Sequence, residues 1–286
     1  YLFHAMFSVM LFCMVFMLYP RASISAKRIM AVLNTETSIE NHPGNAQTDS
    51  GSGEHSVIFE HVDFVYPDGE EAVLKDISFS AKSGETVAFI GSTGSGKSSL
   101  IQLIPRFYDR ASGNIYIDGQ KIEDLDINAL RSKIGFVPQK AHLFSGTIEE
   151  NIRFGKPDAT MDEIIHAAKI AQAYDFIMEK PHQFQEQIVE GATNVSGGQK
   201  QRLSIARALI RKPEIYIYDD SFSALDFKTD ARLRKALKPE IKNAIVFLVA
   251  QRVSTILDAD KIVVLDEGKI AGIGTHRELL ASCPIY

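Results

Sequence analysis

Residues 86–103 read TVAFIGSTGSGKSSLIQL: a short apolar run, a glycine-rich turn, and a second apolar stretch with helical spacing. The turn GSTGSGKSS, Gly91–Ser99, has the form G-x-x-x-x-G-K-[ST] and lies between a strand pattern and a helix pattern, the context this motif requires. Glycines let the backbone curl so that successive N–H groups converge on phosphate oxygens. The helix start behind them adds the positive end of its dipole. Lys97 is expected to reach the β- and γ-phosphates and the Ser98 hydroxyl to hold Mg²⁺. Ser92, Thr93, Gly94, Ser95, Gly96 and Ser99 complete a cradle for the phosphates of a nucleotide with its Mg²⁺.

Moving outward, IYIYDD at 215–220 is an apolar strand ending in two acids. Burial of that strand would carry Asp219 to the phosphate cradle, where it would bind the metal through water. VIFEHVDFVY (57–66), GNIYIDG (113–119) and NAIVFLVAQ (243–251) also read as strands, and KIVVLDEGKI (261–270) reads as a late hairpin. Residues 160–180 read as helix, with Ile164, Ile165, Ala168, Ala171 and Ile177 at helical spacing. Strands alternating with helices imply an α/β fold with a mostly parallel, helix-covered sheet.

The beginning of the chain differs. Residues 1–19, YLFHAMFSVMLFCMVFMLY, carry no formal charge if His4 is neutral, and Arg21, Lys27 and Arg28 follow. About 20 apolar residues are needed to span a bilayer as helix, and basic residues just beyond mark the cytoplasmic flank. A buried core helix is the competing reading. Residues 22–33 turn amphipathic, and 36–56 have the Gly, Ser, Asn and Asp content of a linker. Tyr1 in place of an initiating Met, and a stop soon after a helix-like start, suggest a piece of a longer protein.

Over the whole 286 residues, 45% are hydrophobic and 23% charged, with a net charge of −5. No basic stripe is visible, which argues against a nucleic-acid partner. The two cysteines, Cys13 and Cys283, lie far apart with no Cys/His cluster. A disulfide framework or zinc site is not expected, and a reducing compartment fits.

VPQ at 137–139, VSGGQKQR at 195–202 and SALD at 223–226, taken with GSTGSGKSS and IYIYDD, resemble the ATP-binding cassette (ABC) family. The resemblance covers residues 57–286. It implies a P-loop NTPase of the ABC nucleotide-binding type: a mostly parallel core sheet, an antiparallel β subdomain, and a helical subdomain at about 140–210. The apolar segment with PRASISAKRIMAVLNT (20–35) resembles the end of the last transmembrane helix of an exporter half-transporter. The implied organisation is a transmembrane helix end with its cytoplasmic extension at 1–35, a linker at 36–56 and the nucleotide-binding domain at 57–286. The implied location is the cell membrane, as part of a multi-pass protein with this domain on the cytoplasmic side.

The resemblance also implies roles for residues. Tyr66 would stack on adenine, and Gln139 would touch Mg²⁺ and sense the γ-phosphate. Ser196, Gly197, Gly198 and Gln199 would cap ATP held by an opposite subunit, and Asp226 would cross the dimer interface. Glu190 and NIRFG at 151–155 would meet the transmembrane domains and their coupling helices, although VEGATN departs from the usual G-E-R-G there.

Two positions depart where chemistry is at stake. Asp220 stands where the family has the glutamate that polarises the attacking water, and Gln251 stands where it has histidine. A base drawn back by ~1 Å loses on the order of 10²-fold in rate, and a glutamine amide cannot carry an imidazole's charge. The expectation is a degenerate site on a chain whose signature completes the competent site of a second, different half-transporter. A slow homodimeric exporter and an ATP clamp without chemistry remain the alternatives. The cargo, an exported small molecule or lipid-like substrate, is not readable from these residues.

Overall fold

The computed structural model describes residues 1–37, 39–41, 55–251 and 253–286, so most of the expected linker lies outside the described residues. The chain divides into two units, Tyr1–Glu40 and Asn41–Tyr286. The first is a single helix, α1 (Leu2–Leu33), that runs through Pro20 with none of its residues buried. Thirty-two residues make about 48 Å of helix. Its most apolar window has a mean hydropathy of 2.1, and by length and composition it can cross a membrane.

The second unit begins with β1 (Ser56–Phe64) and β2 (Leu74–Lys82), followed by β3 (Thr86–Gly91), which feeds α2 (Lys97–Leu103). After β4 (Ser112–Ile117), β5 (Gln120–Lys121) and α3 (Ile127–Ser132) comes β6 (Ile134–Val137). A largely helical stretch follows: β7 (Gly146–Thr147), α4 (Ile148–Arg153), α5 (Met161–Ile170), α6 (Tyr174–Met178), β8 (Gln187–Ile188) and α7 (Gly197–Leu209). The chain then returns through β9 (Ile215–Asp219), α8 (Phe227–Glu240), β10 (Ile245–Val249) and α9 (Val253–Ile256). It closes with the hairpin β11 (Lys261–Asp266) and β12 (Lys269–Gly274), and α10 (His276–Ser282).

The core sheet has the order β12-β11-β3-β10-β9-β6 and is parallel except at β12. A four-stranded antiparallel sheet, β2-β1-β4-β5, forms the second layer. The fold is therefore the α/β architecture with an antiparallel subdomain and a helical region, preceded by an apolar helix.

Every residue of β9 and β10 is buried, because the sheet is covered on both faces. Alternate residues serve two cores. Ile215, Ile217, Ile245 and Phe247 pack with Phe59, Phe79, Phe89 and Leu100. Tyr216, Tyr218, Val246 and Leu248 pack on the opposite side with Leu203, Leu233 and Leu237. The helical stretch is punctuated locally: Thr147 with Glu150, Thr160 with Glu163, and Ser196 with Gln199 each form a reciprocal cap at a helix start. The single helical run read at 160–180 is two helices. Gln172, at φ +55, turns the chain between them.

Candidate functional site

The phosphate loop leaves the C-terminal end of β3, which is hydrogen-bonded between β10 and β11 in the middle of the sheet. Two glycines make the turn possible. A Cβ at Gly91 would sit 2.1 Å from the Leu265 carbonyl oxygen. At Gly96, with φ +96, it would sit 2.6 Å from Leu74 Cδ2. Lys97 Nζ folds back on the loop, donating to the carbonyls of Gly91 (2.9 Å) and Ser92 (2.6 Å) and to Ser95 Oγ (3.2 Å). Burial holds its ammonium below the ordinary lysine value, against the charges of Asp220 and Asp219.

β9 delivers the acids. Asp219 Oδ1 accepts from Ser98 Oγ at 2.9 Å. Burial pushes the Asp219 carboxyl above its ordinary value; the Ser98 hydrogen bond opposes this and the Asp220 charge adds to it. Asp220 lies just past the strand at φ +46, a left-handed conformation that aspartate tolerates better than most residues. Its N–H still pairs with the Val249 carbonyl at 3.0 Å. Its Oδ2 accepts from Gln251 Nε2 at 2.8 Å and from Gln139 Nε2 at 3.3 Å. Ser221 Oγ donates to the Val137 carbonyl at 2.8 Å and fastens this turn to β6.

These groups surround a cleft of about 680 Å³ lined by Gly91–Gly94, Gly96–Ser99, Gln139, Asp219, Asp220 and Gln251. Ser95 is not on the wall. It is buried beneath the loop with its hydroxyl on Lys97. Tyr66 is not on the wall either. Its hydroxyl meets Ser99 Oγ at 2.8 Å, and its ring stands edge-on to Phe64 and Tyr108. Ser196–Gln199 lie elsewhere, at the start of α7, where Ser196 Oγ accepts from the Gln199 N–H and Gln199 Oε1 from the Ser196 N–H. Sequence reasoning missed Val73, Asp266 and Tyr286, which also line the cleft. They come from strand ends and a C-terminal segment that carry no local motif.

The family model for the ABC transporter matches residues 74–223. The chain belongs to the ABC transporter family. Among ABC transporters, it is 45% identical over 276 residues to the uncharacterised ATP-binding protein YfiB of Bacillus subtilis, covering 96% of this chain and 47% of that protein. A Staphylococcus aureus protein, provisionally named a multidrug export ATP-binding/permease protein, is 49% identical over 230 residues, covering 80% of this chain and 40% of that one. A bacterial Atm1-family ABC exporter solved with ATP bound superposes with a TM-score of 0.86 at 34% identity, over 94% of this chain and 46% of that chain. The chain thus spans about half the length of the relatives it matches.

The donor set of this ABC cleft suits Mg²⁺. The Ser98 hydroxyl, the Asp219 carboxylate and the Gln139 amide oxygen are hard oxygen ligands, which this cation prefers.

Proposed function

We propose that this chain is the ATP-binding part of a membrane exporter subunit whose own site holds ATP and hydrolyses it slowly. The carrying observation is the contact of Gln251 with Asp220 Oδ2, 2.8 Å long, inside a site that otherwise has its phosphate loop, lysine and metal-binding acid.

In this reading the loop N–H groups from Ser92 to Ser98 hold the phosphates, and Lys97 exchanges its loop carbonyls for phosphate oxygens. Mg²⁺, when bound, neutralises charge on the β- and γ-phosphates, and Ser98, Asp219 and Gln139 would hold it. Tyr66 would turn from its aromatic neighbours to face adenine. Asp220 would orient the attacking water, but its carboxylate is one methylene short and is held by two glutamine amides on one oxygen. Gln251 stays neutral at any working pH, so it can neither carry nor relay a proton as an imidazole would.

The signature Ser196–Gln199 starts a thirteen-residue helix at an exposed position, away from this chain's own cleft. Its N–H groups and dipole would cap ATP in a second half-transporter, making the working unit a heterodimer. Asp226, exposed at the start of α8, would cross that interface. Exposed Glu190 and Phe154 would meet the coupling helices of the transmembrane domains. The α1 helix would anchor the subunit in the cell membrane with the nucleotide-binding domain in the cytoplasm, and an organic or lipid-like molecule would be exported.

The test is Asp220→Glu with Gln251→His in the assembled transporter, with the partner's site disabled. Turnover at this site should rise on the order of 10²-fold; no change sinks the degenerate-site reading. If the purified chain alone forms a transporter with ordinary turnover, the heterodimer reading fails.

A further inference from the structure

A second cavity, about 330 Å³, lies against the face of β9 and β10 that packs on α8. Its walls include Phe222, Leu237 and Leu248, all buried. The size falls at the lower end of small-molecule sites, which combine an apolar lining with a few placed polar groups. One such group is Tyr218. It is 1% exposed and lines the cavity, and its hydroxyl has no hydrogen-bond partner among the described residues. Leaving a buried phenol unpaired is unfavourable, and its hydroxyl can donate or accept.

The mouth carries charge. Arg234 is engaged with Asp230, and Asp260 accepts from the Thr86 N–H at 2.8 Å. Two exposed lysines, Lys238 and Lys242, share the mouth with the carboxylates of Asp258 and Asp260, whose bond to the Thr86 N–H leaves its charge in place, and neither lysine has an ion-pair partner among the described residues.

We propose that this cavity binds a small amphipathic organic anion. Its apolar body would lie against Phe222, Leu237 and Leu248, a hydrogen-bonding group would reach the Tyr218 hydroxyl, and its anionic group would sit between Lys238 and Lys242. The site is separate from the nucleotide cleft yet touches both segments that build it: Tyr218 precedes Asp219 on β9, and Thr255, on the cavity wall, follows Gln251.

The test uses 6-hydroxy-2-naphthoate, a fluorescent compound with a hydroxyl at one end and a carboxylate at the other. It is titrated into the full chain in lipid nanodiscs, with empty nanodiscs subtracted. Saturable binding is expected, weakened roughly tenfold by Tyr218→Phe, which removes one hydrogen bond. The pair Lys238→Glu and Lys242→Glu, on the exposed surface and tolerable to the fold, should weaken it at least about tenfold. 2-Naphthoate, without the hydroxyl, should bind wild type and Tyr218→Phe alike. The proposal is overturned if no saturable binding is found, if the lysine reversals leave affinity unchanged, or if neutral 6-hydroxy-2-naphthamide binds as tightly as the acid.

Discussion

In the proposed function the nucleotide cleft and the signature turn both serve phosphates, yet they are built in opposite ways. The cleft draws Lys97 from α2, Gln139 from beyond β6, Asp219 and Asp220 from the end of β9, and Gln251 from beyond β10. The signature is local: Ser196 and Gln199 cap their own helix and sit at an exposed turn. A site assembled from distant strands can lose its chemistry through one or two residues while its shape survives. A local helix start depends on few neighbours and can remain whole. That asymmetry is the physical basis for reading one chain as poor in its own hydrolysis and useful in another's.

The largest expected effect breaks the comparison from the cleft side. Restoring Asp220→Glu and Gln251→His should raise turnover at this site on the order of 10²-fold, measured as single-site ATP hydrolysis. Asp220 sits at positive φ with its N–H bonded to the Val249 carbonyl, so the glutamate must also accept that backbone. Next is Lys97→Ala. It removes the charged group beside the loop and should weaken ATP binding roughly 30-fold, read by titration with a fluorescent ATP analogue.

Ser196→Ala sharpens the contrast. It should cost about 1 kcal/mol of stability in urea unfolding through loss of the α7 cap, while leaving ATP affinity at this chain's own cleft unchanged. A drop in that affinity comparable with Lys97→Ala would mean the two regions are not separate.

The smallest effect concerns pH. Burial raises the Asp219 carboxyl above its ordinary value, so the folded chain binds that proton more tightly than the unfolded chain does. Stability from this group is therefore greatest at low pH and falls as pH rises from the ordinary aspartate value through the raised one. Asp219→Asn should flatten that slope and raise the melting temperature of the nucleotide-free chain at neutral pH. An unchanged slope would show that the Asp219 proton is not part of the balance.

Much of the architecture was legible in the chain. The apolar run before Gly91 and the helical pattern after Lys97 mark the strand, turn and helix that form there. The continuous apolar runs of β9 and β10 signal a sheet covered on both faces. The helix starts at Thr147, Thr160 and Ser196 rest on their own capping residues, local signals that the structure brought out. The break at Gln172 was not legible, because apolar residues recur on both sides of it, Ile164, Ala168 and Ala171 before and Ile177 after. Nor was the present place of Tyr66, which depends on Phe64, Tyr108 and Ser99 arriving from three parts of the chain.

By itself the sequence determined the order of elements, the phosphate loop and the two departures, Asp220 and Gln251, because each is a matter of residue type and near-neighbour spacing. Only the tertiary structure decided that Gln251 and Gln139 meet on the same oxygen of Asp220, that Asp219 answers Ser98, and that the Tyr218 hydroxyl, with no partner among the described residues, lines a second cavity. Those contacts join residues far apart in sequence. The registry of parallel strands, set by burial on both faces of the sheet, brings them within hydrogen-bond range.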